Sequence, residues 1–156
     1  MKILVDADSC PRETRELVIR TSNRKSIQAI FAANRSIPGI SGKNITMEIC
    51  PSGDDSADKR ILELARAGDI AVTRDLPLAE NLVNTGVLVM DDRGRVFTPE
   101  NIRQLRSLRD FMVGLAENNL SPERNPSYGK KELKNFADSL DREMTLLLRR
   151  KPPSPS

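Results

Sequence analysis

The sequence predicts an α/β fold: a three-layer α/β/α sandwich around a mainly parallel sheet of about five strands, with a helical C-terminal appendage. Three observations lead there. Short aliphatic runs recur along the first ninety or so residues, with the length and bulk of strands buried on both faces. Amphipathic stretches with helix start and stop signals separate most of them, and that alternation implies crossover connections and parallel pairing. Leu, Ile, Val and Phe make up about a quarter of the 156 residues, with one Tyr and no Trp, which suffices for a single aliphatic core.

The first run, Lys2-Ile3-Leu4-Val5-Asp6, ends in acid as a buried strand ends at a sheet edge. Cys10-Pro11 opens a helix to about Asn23, because proline suits a first position where its missing N–H has no partner to lose. Its stripe is Leu17, Val18 and Ile19 among charged neighbours. Ile27–Ala33 and Ile45–Cys50 read as the second and third strands, joined through a loop carrying Pro38, Gly39 and Gly42. Asp54-Asp55 starts a helix that Gly68 stops. Ile70–Thr73 is a fourth strand, Pro77–Thr85 a helix closed by Gly86, and Val87–Met90 a fifth strand.

Beyond Pro99 the pattern becomes helical. Ile102, Leu105, Leu108, Phe111, Met112 and Leu115 recur at helical spacing, and Leu133, Phe136, Ala137, Leu140, Met144 and Leu147 mark a last helix over 130–150. Between them, residues 118–129 have the composition of a flexible connection. The chain therefore reads as one domain over 1–150, its appendage beginning near 99, with a frayed tail at 151–156.

Composition excludes several chemistries. With no histidine, Ser-His-Asp and Cys-His nucleophile pairs, imidazole zinc sites and histidine acid–base catalysis are out. Cys10 and Cys50 are too few for a disulfide framework and lack metal-site spacing. Met1 leads straight into the first strand and no apolar run approaches a bilayer's thickness, so a cytoplasmic protein without membrane attachment is expected. The formal charge of +3 divides into −2 over residues 1–92 and +5 over 93–156, an asymmetry suited to holding a cation and a polyanion together, or to a solvated basic surface.

Ligands of open parallel sheets bind beyond the strands' carboxyl ends, and here those ends carry acids. Asp6 and Asp8 follow the first strand, and would share a face if the extended conformation persisted; Asp75 follows the fourth and Asp91-Asp92 the fifth. Asp54, Asp55 and Asp58 sit at the mouth of the helix on the same edge. Clustered carboxylates repel unless a cation neutralises them, and hard oxygen donors favour Mg²⁺ or Mn²⁺. Each acid also has a plainer role open to it. Asp55 and Asp75 can cap helices, Asp58 can complete a capping box, and Asp91-Asp92-Arg93-Gly94 is a good turn. Asp6 and Asp8 are hardest to explain that way, because burying carboxylates at a strand end is costly. Arg12, Arg15, Asn34, Arg35 and Arg74 fall near the same edge, where they would meet substrate phosphates or serve as ordinary surface residues.

Val5-Asp6-Ala7-Asp8-Ser9-Cys10-Pro11 resembles the signature of the bacterial YaiI/YqxD family, which is placed among the PIN-like nuclease folds. The resemblance continues through Ala33-Asn34-Arg35, Asp55–Asp58, Gly68-Asp69, Thr73-Arg-Asp75-Leu-Pro77-Leu-Ala79, Arg93-Gly94 and Arg109–Met112, over roughly residues 1–148. It implies a PIN-like domain whose acids are Asp6, Asp58 and Asp75, with Asp8 as an extra ligand. The expectation is a Mg²⁺- or Mn²⁺-dependent nuclease acting on RNA or single-stranded nucleic acid. Two alternatives stay open: a non-catalytic metal- or RNA-binding module, and a haloacid-dehalogenase-like phosphatase with Asp6 as nucleophile, for which no lysine lies between Lys59 and Lys130.

Overall fold

The computed structural model describes residues 1–51, 56–117 and 128–150, with side chains given outside 115–117. Asp54, Asp55, most of the 118–129 connection and the 151–156 tail lie outside the described residues. Five strands form one all-parallel sheet: β1 (Lys2–Asp6), β2 (Gln28–Ala33), β3 (Ile45–Ile49), β4 (Ile70–Val72) and β5 (Leu88–Met90), in spatial order β3-β2-β1-β4-β5. Five helices accompany them: α1 (Arg12–Lys25), α2 (Ser56–Leu64), α3 (Leu76–Asn84), α4 (Pro99–Glu117) and α5 (Lys130–Arg150).

Side-chain alternation along the strands divides the core into two layers. Ile3, Val5, Ala29 and Phe31 face α1 and α5, packing with Val18, Phe136, Leu140 and Met144. Leu4, Ile30 and Ala32 face α2, α3 and α4, packing with Ile61, Leu78, Leu82 and Ile102. The two layers follow from the connections. The chain moves from β1 to β2 by way of α1, then returns to β4 and on to β5 by way of α2 and α3. Right-handed crossovers running in opposite directions must lie on opposite faces. Away from the carboxyl edge, buried Asp69 fastens the start of β1, accepting from Lys2 Nζ at 2.7 Å, Lys2 N at 3.1 Å and Arg66 N at 2.8 Å.

The structure departs from the sequence reading in three places. Pro11 is the N-cap of α1, one position before the helix, and α1 runs on to Lys25, where Ser26 ends it in the left-handed region at φ 55°. The extended conformation does not persist past Asp6: a single 3-10 turn occupies Ala7–Ser9, so Asp6 is buried while Asp8 is exposed. The apolar stripe of α4 is buried only at its start. Ile102 is 1% exposed, whereas Leu108 and Phe111 are 49% and 62% exposed. The cause is length: α4 lies against α3, tied by an Arg106–Glu80 ion pair of 2.6 Å. At 1.5 Å per residue α4 is about 28 Å long and α3 about 13 Å, so the second half of α4 overruns its support.

Candidate functional site at the carboxyl edge of the sheet

The strand order reverses at β1, with β2 on one side and β4 on the other, so the position where such sheets bind ligands lies at the carboxyl ends of β1 and β4. Asp6 closes β1 there and is 7% exposed. Its Oδ2 accepts from Thr73 Oγ1 at 3.0 Å and from Ser9 Oγ at 3.1 Å. Burial raises the Asp6 pKa above the ordinary carboxylate value; the two hydroxyls pull it down, and the charges of Asp75 and Asp8 raise it further. Thr73 Oγ1 also accepts from the backbone N–H of Asp75 at 3.1 Å, so one hydroxyl joins the two acids.

The remaining acids of the set carry structural work as well. Asp75 is the N-cap of α3, accepting from Leu78 N at 2.9 Å, with Pro77 in the helix's first turn. Asp8 Oδ2 accepts from Asn34 N at 2.8 Å and so clips the turn after β1 to the end of β2. The Ser56 hydroxyl is shared between two acceptors, Asn34 Oδ1 at 3.0 Å and Pro51 O, which ties in the start of α2. Asp58 lies in the first turn of α2 and is half-buried. Among the described residues, no three acidic or thiol side chains stand in an arrangement able to hold a metal ion.

The basic candidates divide between two flanks. Arg12 and Arg15 line a groove of about 490 Å³ between α1 and Ile37–Ile40, where Arg12 is exposed and paired with Glu16 at 2.9 Å. Arg35 is exposed just after Asn34. Arg74 is on the other flank, its Nε 3.8 Å from Asp92 Oδ1.

The fifth strand's two acids differ sharply. Asp91 builds the turn, its Oδ1 accepting from Arg93 N and Arg95 N at 2.9 Å each. Gly94 completes that turn at φ +86°, pressed against α5. Asp92 points inward and is 2% exposed, and its Oδ1 is buried without a hydrogen bond among the described residues. Burial pushes the Asp92 carboxyl up; Arg74 opposes this, and Asp91 adds to it. Tyr128 OH donates to Asp92 O at 2.8 Å and shares a hydrogen bond with Thr14 Oγ1 of α1.

Cys10 is buried at this junction, and burial, with Asp92 and Asp6 adding to it against Arg15 and Arg74, pushes its thiol up to about 12. A thiol so placed is no nucleophile at neutral pH.

Sequence reasoning missed the hydroxyls. Thr73 and Ser9 stand inside the two motifs that carry the family resemblance, but nothing in the sequence says that both hydroxyls bond Asp6. The inward turn of Asp92 had no sequence signal, because Asp-Asp-Arg-Gly specifies the turn without saying which acid faces in.

Residues 4–146 match the family described as "Uncharacterized BCR, YaiI/YqxD family". The chain belongs to the YaiI/YqxD family. Its relatives include the UPF0178 protein of Treponema pallidum, 45% identical over 149 residues that cover 96% of this chain and 84% of that one. The UPF0178 protein of Myxococcus xanthus is 39% identical over 152 residues, covering 97% and 99% of the two chains. That of Pseudomonas fluorescens is 33% identical over 149 residues, covering 96% and 99%. No solved structure matches this YaiI/YqxD protein. Among its described residues, no helix is long and apolar enough to cross a membrane.

Proposed function

We propose that this YaiI/YqxD protein is a divalent-metal-dependent nuclease of PIN-like fold, hydrolysing phosphodiesters of RNA or single-stranded nucleic acid. The observation that carries the reading is the linkage of Asp6 and Asp75 through Thr73 at the point where strand order reverses. The donor chemistry supports Mg²⁺ or Mn²⁺: the acids of this edge offer hard carboxylate oxygens, and the Asp6 carboxyl is raised by burial and by the charges of Asp75 and Asp8, a strain that a cation relieves. Asp6, Asp8, Asp58 and Asp75 are the residues that would hold the ion, and doing so requires them to close up on it, because no three of them stand together as ligands in this structure. When bound, it would supply Lewis acidity and a water deprotonated at neutral pH.

The chain's own residues do the rest. Thr73 and Ser9 fix the Asp6 carboxylate through Oδ2, leaving Oδ1 free of these two bonds. Capping of α3 fixes Asp75 in the same way. Arg12, Asn34 and Arg35 on one flank and Arg74 on the other would meet backbone phosphates. With a single Tyr and no Trp there is little aromatic surface for stacking on bases, so recognition would run through the sugar–phosphate backbone.

A second reading, a metal- or RNA-binding module without turnover, is favoured by the structural work that Asp8 and Asp75 already perform. Calorimetric titration with Mn²⁺ and Mg²⁺, on the parent and on Asp6→Asn/Asp75→Asn, followed by cleavage assays on single-stranded RNA, separates them. Metal binding lost in the double variant, together with metal-dependent cleavage, supports the nuclease. Binding of metal or RNA without cleavage moves the binding module to first place. A fluoroberyllate adduct on the Asp6 carboxylate, the mimic of a phospho-aspartate, would overturn both in favour of the phosphatase.

A further inference from the structure

We propose that the free edge of β3 is a docking surface for a second copy of this chain, which adds its own β3 antiparallel to make one continuous sheet across a two-fold axis at Met47. The two edges of the sheet are treated differently. At β5 the chain folds back, with Met90 bridged to Val96 and Phe97 N donating to Val89 O at 2.8 Å. At β3 no described segment does so.

The free main-chain groups follow from the register. Ala29 N bonds Asn44 O at 2.9 Å and Cys50 N bonds Ala33 O at 2.8 Å, with Ala29, Phe31 and Ala33 opposite Ile45, Met47 and Ile49. In a parallel ladder this pattern gives the β2 bonds to the even-numbered residues of β3 and turns the groups of Ile45, Met47 and Ile49 outward. Ile45 N is already satisfied by Gly42 O at 3.2 Å. The outward row is therefore the C=O of Ile45, and both groups of Met47 and Ile49.

That row is self-complementary. With Met47 opposite Met47 of the copy, the two exchange both bonds, and Ile49 N of each reaches Ile45 O of the other, four bonds in all. A two-fold axis perpendicular to the sheet keeps each face on its own side. Ile45 and Met47, already packed at the margin of the α1/α5 layer, would then be joined by Ile49 of the copy. Ile49 is 59% exposed in the single chain, and this register covers it.

Charge fixes the same register. It sets Glu48 against Thr46 of the copy, a carboxylate against a hydroxyl donor. A two-residue shift of the pairing in one direction, which moves the axis to Glu48, sets Glu48 directly against Glu48 of the copy, which like-charge repulsion disfavours. A shift in the other direction leaves Ile49 without a partner. In the resulting dimer β1 and β4 lie away from the junction and both candidate sites stay open.

Sedimentation velocity on the full chain tests the proposal, with two variants. The parent is expected to sediment as a dimer. Ile49→Lys, altering an exposed side chain, is expected to sediment as a monomer with an unchanged far-UV spectrum. Met47→Cys is expected to form an interchain disulfide on mild oxidation, since the paired Cα atoms would stand about 5.5 Å apart; the parent, whose two thiols are buried, is not. A parent that stays monomeric at its highest soluble concentration overturns the proposal. So does a dimer that survives Ile49→Lys, or one in which Met47→Cys does not cross-link.

Discussion

Thr73 Oγ1 donates to Asp6 Oδ2 at 3.0 Å while accepting from Asp75 N at 3.1 Å, so the ends of β1 and β4 are held by one buried hydroxyl. Thr73→Val keeps the shape and removes the hydroxyl. It is expected to cost about 1–3 kcal/mol at neutral pH, the penalty for stripping a buried carboxylate of a donor. Thr73→Ser should restore most of the loss. Urea denaturation of the three proteins measures it.

Asp6 gives stability a recognisable pH dependence. Its folded-state pKa lies above the ordinary 3.8, so between those two values the native state holds a proton that the unfolded chain has released. Stability from this group is therefore greatest below pH 3.8 and falls as pH rises through the folded-state value. Asp6→Asn removes that loss and should stabilise the protein at neutral pH. Asp92, also raised by burial, contributes a slope of the same sign, which Asp92→Asn should remove. Thermal melts across the acid range read both effects.

Asp75 combines a cap with a charge, and the two are separable. Asp75→Ala loses the bond to Leu78 N and should cost about 1 kcal/mol. Asparagine caps as well as aspartate, so Asp75→Asn should leave stability nearly unchanged while abolishing metal binding. Calorimetry beside denaturation distinguishes the outcomes; metal affinity unchanged in Asp75→Asn would remove Asp75 from the site.

Cys10, with its thiol at about 12, should resist iodoacetamide at neutral pH in the folded protein and react readily once the chain is denatured. Peptide mass spectrometry checks this directly. Rapid native alkylation would mean that the α1 N-terminus is far more open than its burial indicates.

Gly94 should tolerate no side chain. At φ +86° an added Cβ would stand 2.5 Å from the main-chain oxygen of Asn135, which is held in α5. Gly94→Ala should cost roughly 2 kcal/mol or more, through both backbone strain and displacement of α5. Thermal denaturation reads the loss.

The layered fold was legible because each aliphatic run is bounded by its own punctuation, as Gly68 and Gly86 show on either side of α3 and β4. The acids of the edge were legible for the same reason, as strand ends can be located. Their orientation was not. The 3-10 turn at Ala7–Ser9 separates Asp6 from Asp8 by conformation, and strand alternation cannot foresee it. Leu108 and Phe111 repeat the helical period as faithfully as Ile102, yet periodicity says nothing about where the supporting helix stops.

Tyr128 is the sole tyrosine of a chain without tryptophan, and its hydroxyl is fastened to Asp92 O and Thr14. Excited at wavelengths that phenylalanine does not absorb, the intrinsic ultraviolet emission consequently originates from one ring, clamped where the β5 turn meets α1. Its intensity and lifetime report on that junction alone, so ordinary fluorimetry gives an optical readout of events beside the candidate site without any attached dye.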